Sequence, residues 1–167
     1  MSQIRLLLIV LSLSLLSSLS SASEEFSVGA KLPPLDGYEL TGELPDIEGK
    51  VVLIDFWASW CAPCKASFPS MDEIYTVHKD QGFEIIAVSV DKKQALVDRF
   101  TQKLSPSFSI VWDGKQSLVS AAKVSVMPTS LLIDKKGYIR YIHIGWHGNK
   151  SIKQLEVELV ELLEEDV

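Results

Sequence analysis

Cysteine is scarce in this chain, with only Cys61 and Cys64 among 167 residues. Two thiols cannot staple a disulfide-rich scaffold, and they leave no ligand set for a four-cysteine zinc site. Histidine is also sparse: His78, His143 and His147 are all there is. Basic residues are in the minority, 16 Lys plus Arg against 22 Asp plus Glu. The resulting net charge of −6 argues against sequence-independent binding to nucleic acid or anionic lipid. Long apolar runs are confined to one stretch near the N-terminus, which excludes a multi-span membrane protein. No internal repeat or heptad pattern supports a solenoid or coiled coil. What remains is ordinary globular composition, 47% hydrophobic and 23% charged, at a length that suits one domain.

The apolar stretch runs from Leu6 to Leu16 behind Arg5 and gives way to the small residues Ser20-Ser21-Ala22. It falls short of the roughly 20 residues that a transmembrane helix needs. Basic start, short apolar core and small-residue exit read as a secretory signal peptide over residues 1–22, leaving 23–167 as the folded domain. The alternative is an uncleaved anchor, since the serines could lengthen the apolar segment. No cysteine lies at the exit to carry a lipid. Export implies an oxidising compartment, where two nearby thiols pair unless something keeps them reduced.

Residues 23–49 hold Pro33, Pro34, Pro45 and four glycines, so they read as an irregular arm with two short strands. Val51–Phe56 is an apolar run broken only by Asp55, as expected of a strand buried on both faces. Pro63–Asp80 changes to helical spacing, with Phe68, Met71, Ile74, Tyr75 and His78 on one stripe, and Pro69 is expected to kink it. Phe83–Val90 is a second strong strand. Lys93–Leu104 reads as a helix with Leu96, Val97, Phe100 and Leu104 turned inward. A short strand over Phe108–Trp112 and a short helix over Lys115–Lys123 follow. Thr129–Asp134 and Tyr138–Ile144 form a hairpin about Lys135-Lys136-Gly137, and Ser151–Glu164 is a closing helix. Strands separated by helices and ending in a hairpin predict a mixed sheet with helices on both faces.

The chemistry gathers where the first strong strand meets the first helix, at Trp60-Cys61-Ala62-Pro63-Cys64-Lys65. Free N–H groups and the helix dipole stabilise an anion at a helix start, which favours a thiolate there. Cys61, just before the helix, is expected to be exposed and to act as the nucleophile. Cys64, one turn inside, is expected to be more buried and to resolve. Pro63 fits the first turn, where its missing N–H costs nothing. Two other readings of Cys-x-x-Cys stand beside this one, half of a zinc site and a structural disulfide. The first lacks its other half, and the second stabilises little because the closed loop is so short.

Asp55-Phe56-Trp57-Ala58-Ser59-Trp60-Cys61-Ala62-Pro63-Cys64-Lys65 resembles the active-site signature of the thioredoxin superfamily, within it the exported TlpA/ResA-like thiol–disulfide oxidoreductases. Met127-Pro128-Thr129-Ser130-Leu131-Leu132-Ile133-Asp134 is similar to that family's cis-proline segment. The resemblance covers most of residues 23–167. It implies an α/β, thioredoxin-like three-layer α/β/α sandwich with a mixed central sheet and an N-terminal extension. It also implies an insertion, Lys93–Val124, between the second and third core strands. It implies that Cys61 attacks a substrate disulfide, that Cys64 resolves the mixed disulfide, and that Pro128 is cis with Met127 pairing to an extended substrate. Trp60, Ala62, Pro63 and Thr129 complete the expected substrate surface.

Asp55, a carboxylate in an apolar strand, is expected to have a raised pKa and to move a proton for Cys64. Its plainer reading is a strand-end carboxylate bonded to backbone. Cytosolic thioredoxins set a lysine near this acid, and the matching position here is Ala87. The TlpA/ResA-like branch usually carries a glutamate three residues after the second cysteine, where this chain has Ser67. That departure leaves the acid–base work to Asp55 and weakens any transfer of a cytochrome-maturation role.

Trp57 reads as core, His78 as a surface or edge histidine, and His143 with His147 as a poor metal pair. The acidic end Glu161, Glu164, Glu165 and Asp166 reads as a solvated helix terminus. The expected function is reduction of protein disulfides outside the cytoplasm, most simply in a bacterial periplasm. The protein would be a monomer that needs a membrane electron donor, with no nucleic acid, metal or cofactor beyond the Cys61–Cys64 disulfide. Oxidase or isomerase activity, a Cu(I)-binding dithiol and a thiol peroxidase are the alternatives. The last wants Thr or Ser three residues before its cysteine, where Ala58 stands.

Overall fold

Val51–Trp57 forms strand β1, and all seven of its residues are buried. Such a run can only sit inside a sheet covered on both faces. β2 (Phe83–Ser89) lies parallel to it, with Val51 beside Phe83 and Trp57 beside Ser89, and β3 (Ser109–Trp112) runs parallel along the far side of β2. On the other flank of β1, β4 (Thr129–Ile133) and then β5 (Ile139–Ile144) pair antiparallel. The strand order β3-β2-β1-β4-β5 is the mixed sheet expected of a thioredoxin-like fold. This computed structural model describes residues 26–166, so the signal-peptide or anchor reading of residues 1–22 lies outside the described residues.

Among the described residues four α-helices complete the order: α1 (Ala62–His78) after β1, α2 (Gln94–Leu104) after β2, α3 (Ser117–Ala121) after β3 and α4 (Asn149–Glu164) after β5. Within the inserted segment, β3 joins the sheet edge. Leu53, Asp55 and Trp57 alternate onto one face of β1. Trp57 meets Phe68 of α1 at 4.9 Å and Phe100 of α2 at 4.6 Å, and Phe68 and Phe100 are 5.1 Å apart. Leu155 of α4 lines the same cavity as Leu53 and Asp55. These three helices therefore share that face, as right-handed crossovers between β1, β2 and β3 require of α1 and α2.

Against the other face lies the arm. Leu32, Pro33, Leu35 and Ile47 line a groove with Val52 of β1, and Leu35 is buried. The two strands expected in the arm are instead two single bridges, Lys31 to Tyr138 beside β5 and Thr41 to Trp112 in β3. Pro33 and Pro34 lie between them and lack the N–H that a ladder needs. The arm thus crosses the sheet from edge to edge and pairs with each edge at one bridge. Gly42 is required here, because a Cβ on it would lie 2.7 Å from the Ile110 carbonyl oxygen.

α1 runs as one helix through Pro69. Two further expectations change. His78 is buried in its last turn, not at the surface, because α1 lies along the sheet for its whole length. Leu104 is 39% exposed, since α2 ends there and Ser105 turns left-handed at φ 46°. The β4–β5 turn forms as expected: Asp134 accepts from the N–H groups of Lys136 and Tyr138, and Gly137 takes φ 84°. The acidic end of α4 is not simply solvated. Lys135 Nζ donates to the carbonyls of Leu163 (2.6 Å) and Glu165 (2.9 Å), and Arg140 pairs with the Glu165 carboxylate at 2.7 Å. Cations at a helix C-terminus satisfy its free carbonyls and offset the acidic side chains.

Candidate active site

β1 delivers the chain to Cys61 through a tight turn, Ala58–Trp60. The turn is clamped by Asp91, which follows β2 and is fully buried. Asp91 Oδ2 accepts from the Ser59 N–H at 2.8 Å and from Ser89 Oγ at 3.0 Å, while Oδ1 accepts from Ser59 Oγ at 2.8 Å. Trp112 Nε1 donates to the Asp91 carbonyl at 2.7 Å. A carboxylate with this many donors is held in one place, and so is the turn it grips.

Cys61 is the N-cap of α1, and it is joined to Cys64 by a disulfide. Cys61 Sγ accepts the Cys64 N–H at 3.2 Å, one of the free donors at the helix start. Cys64 is fully buried, as expected. Cys61, expected to be exposed, is only 5% so. The disulfide and the N–H contact turn its sulfur onto the helix start, and the surface there is left to Trp60 (67% exposed), Ala62 and Pro63.

Facing this junction is the loop before β4. The Met127–Pro128 peptide bond is cis, Pro128 is buried and Met127 is half-buried. The Pro128 carbonyl accepts from Gly145 N–H at 2.7 Å, and Thr129 Oγ1 donates to the Val126 carbonyl at 2.8 Å. Both ends of the loop are therefore pinned.

In β1, Asp55 is 1% exposed. Its neighbour on β2 is Ala87, so that strand brings no charged side chain to its register position. Across β4 its neighbour is Ser130, whose Oγ donates to Asp55 Oδ1 at 2.6 Å. Asp55 Oδ2 is buried with no partner among the described residues. Burial pushes the carboxyl pKa from 3.8 up to about 7, against a smaller downward pull from the Ser130 hydrogen bond. The plainer reading of Asp55 as a backbone-bonded strand end does not fit a carboxylate held by one side-chain hydroxyl.

Asp55, Ser67, Pro128 and Ser130 line one cavity of about 250 Å³, together with His143 and His147. Ser67, in the place of the family's glutamate, is buried and donates to the Cys64 carbonyl at 2.8 Å. His143 Nε2 lies 2.6 Å from Glu158 Oε2, which ties β5 to α4. No group of three or more metal-ligating side chains occurs among the described residues. Ser130 and Asp91 escaped the sequence reading. Ser130 had a signal in its place two residues after Pro128, whereas nothing local marks Asp91.

The AhpC/TSA family matches residues 28–142. The thiol-disulfide oxidoreductase ResA of Geobacillus thermodenitrificans is 34% identical over 152 residues, covering 89% of this chain and 87% of the relative. Its namesake in Halalkalibacterium halodurans is 34% identical over 144 residues, covering 86% and 80%. Among solved structures, a Chlorobium tepidum protein described as a thiol:disulfide interchange protein DsbE is 34% identical. It superposes with a TM-score of 0.76 over 83% of this chain and 99% of that one. StoA from Bacillus subtilis is 29% identical, with a TM-score of 0.58 over 68% and 84%. Identity and coverage of this extent, on a sheet of the expected strand order, place the chain: it belongs to the AhpC/TSA family of thioredoxin-like proteins and is a ResA-like thiol–disulfide oxidoreductase.

Proposed function

We propose that the protein is exported and reduces disulfides in other proteins through Cys61 and Cys64. The Cys61 thiolate attacks one substrate sulfur and expels the other as a thiolate, forming a mixed disulfide. Cys64 then loses its proton to Asp55, attacks Cys61 Sγ and releases the second substrate thiolate. Two electrons and two protons pass to the substrate, and the protein is left with the Cys61–Cys64 disulfide. Trp60, Ala62 and Pro63 flank the attacked bond, and the Met127-Pro128-Thr129 loop pairs with the substrate backbone. No cofactor is needed, because the dithiol itself carries the electrons. A membrane electron donor restores the dithiol, since an oxidising compartment will not.

The observation that carries this reading is the Cys61–Cys64 disulfide at the first turn of α1, together with a buried carboxylate, Asp55, whose pKa is pushed up to about 7 in a cavity that Ser67 of the same helix also lines. A base is most effective when its pKa is close to the working pH. Equilibrating residues 23–167 in glutathione buffers tests the direction of electron flow. A potential near the thioredoxin value, about −270 mV, supports a reductase, whereas one near −120 mV makes the protein a disulfide donor instead. A Cys64→Ser variant is expected to accumulate the mixed disulfide on Cys61, visible by mass spectrometry. If adducts form on Cys64 in the Cys61→Ser variant instead, the roles are reversed. N-terminal sequencing of the exported protein tests the leader, with cleavage expected before Ser23.

A further inference from the structure

Next to Cys61 lies an open groove of about 630 Å³, which shares no lining residue with the cavity that holds Asp55. Trp60 and Met127, the residues before Cys61 and before Pro128, form its near wall. Lys92 and Lys123 line it further out, and no carboxylate does. That composition is unusual for a chain with 22 acidic and 16 basic residues. Both lysines are exposed, and neither ammonium is paired with a carboxylate among the described residues.

The groove is built rather than incidental. Lys92 directly follows the clamped Asp91. Lys123 is held at φ 52° just after α3, with its N–H on the Ser120 carbonyl at 3.1 Å. Gln116 Nε2 bridges the carbonyls of Val90 and Asp113, each at 3.1 Å. Gly114 admits no side chain, because a Cβ there would lie 2.6 Å from the Trp112 ring. The backbones that carry the two lysines are thus fixed with respect to the turn that carries Cys61.

From this arrangement we infer that the groove selects substrate segments bearing Asp or Glu close to the disulfide. The inference rests on the disulfide-reductase reading of the same site and names its substrate class. An extended segment lying along Met127 with its sulfur over Cys61 continues across Trp60 into the groove, where only positive charge meets it. The overall negative charge does not cancel this attraction. Physiological salt screens charges beyond about 8 Å, so the local lysines decide the sign.

The test uses residues 23–167, reduced with dithiothreitol and freed of it. The protein is offered three short cyclic disulfide peptides, identical except that the cysteines are flanked by Asp and Glu, by Asn and Gln, or by Lys and Arg. Each reduced protein gives two electrons and two protons to one peptide disulfide, and the peptide dithiol is quantified by mass spectrometry. The acidic peptide is expected to be reduced about fivefold faster in kcat/KM than the neutral one at physiological salt. The difference should lie in KM, and the basic peptide should be slowest. The ratio is expected to fall toward one as salt is added, and in a Lys92→Gln/Lys123→Gln double variant. Lys136→Gln, in the distant β4–β5 turn, should leave the ratio as it is. Equal rates for the three peptides, or a preference that survives the double variant, would overturn the inference. Failure to reduce any peptide, or hydroxyethyl disulfide as an uncharged probe, would instead overturn the reductase reading itself.

Discussion

Two buried aspartates flank the active-site turn, and they are treated in opposite ways. Asp91, just past β2, has both oxygens engaged by the Ser59 N–H, the Ser59 hydroxyl and the Ser89 hydroxyl. Asp55, in the next strand, has a single hydroxyl donor on one oxygen and, among the described residues, no protein donor on the other. A carboxylate whose lone pairs are filled is a structural clamp, since moving or protonating it breaks several hydrogen bonds at once. A carboxylate left short of donors is costly in its charged form and therefore takes up and gives back a proton near neutral pH. Burial alone does not separate the two roles; the number of donors does.

The largest effect that tests this contrast belongs to Asp55→Asn. Disulfide exchange is expected to slow about a hundredfold, the scale of a lost general base, and the rise of rate with pH near 7 should flatten. The same variant should gain stability at alkaline pH. Between pH 3.8 and about 7 the folded state keeps a proton that the unfolded chain has released. Stability therefore falls as pH rises through that window. Removing the carboxylate removes the fall, which is on the order of 4 kcal/mol at pH 8. Urea unfolding of the oxidised variant and the wild type at pH 5 and pH 8 measures it.

Asp91→Ala should do the reverse. It strands the Ser59 N–H and two hydroxyls, so the urea midpoint should drop by the equivalent of about 3 kcal/mol at both pH values. Its pH–rate profile should keep the wild-type midpoint. An Asp91→Ala profile that loses its midpoint near 7, with stability intact, would erase the contrast.

Ser130→Ala gives the finest adjustment. It removes the one donor to Asp55 and should move the midpoint of the pH–rate profile upward by about one unit, with a much smaller loss of maximal rate than Asp55→Asn. A downward shift would mean that Ser130 does not act on the charged form of Asp55.

Much of this was legible in the chain itself. β1 and β2 announced themselves because strands buried on both faces are continuous apolar runs. The β4–β5 turn did so because Gly137 follows two lysines between strand-like segments. Cys61 and Cys64 stood out by spacing and by position at a strand–helix junction. The arm was read correctly as irregular but wrongly given two short strands, because its prolines and glycines record only that regular structure is absent. Its crossing of the sheet from Tyr138 to Trp112 is a long-range contact with no local signature. His78 was misread for a related reason: helical spacing gives the stripe on which a residue lies, not how far along the helix the sheet continues.

The sequence by itself determined the parts whose physics is local, namely the order of strands and helices, the redox pair at the start of α1 and the isolated acid in β1. Only the tertiary structure decided how that acid is solvated. Ala87 and Ser130 come to its sides through pairing with strands 32 and 75 positions away. The Asp91 clamp and the lysine-lined groove depend on the same long-range assembly. Their energies come from desolvation and from hydrogen-bond donors that are distant in sequence, and no local pattern records which donors will arrive.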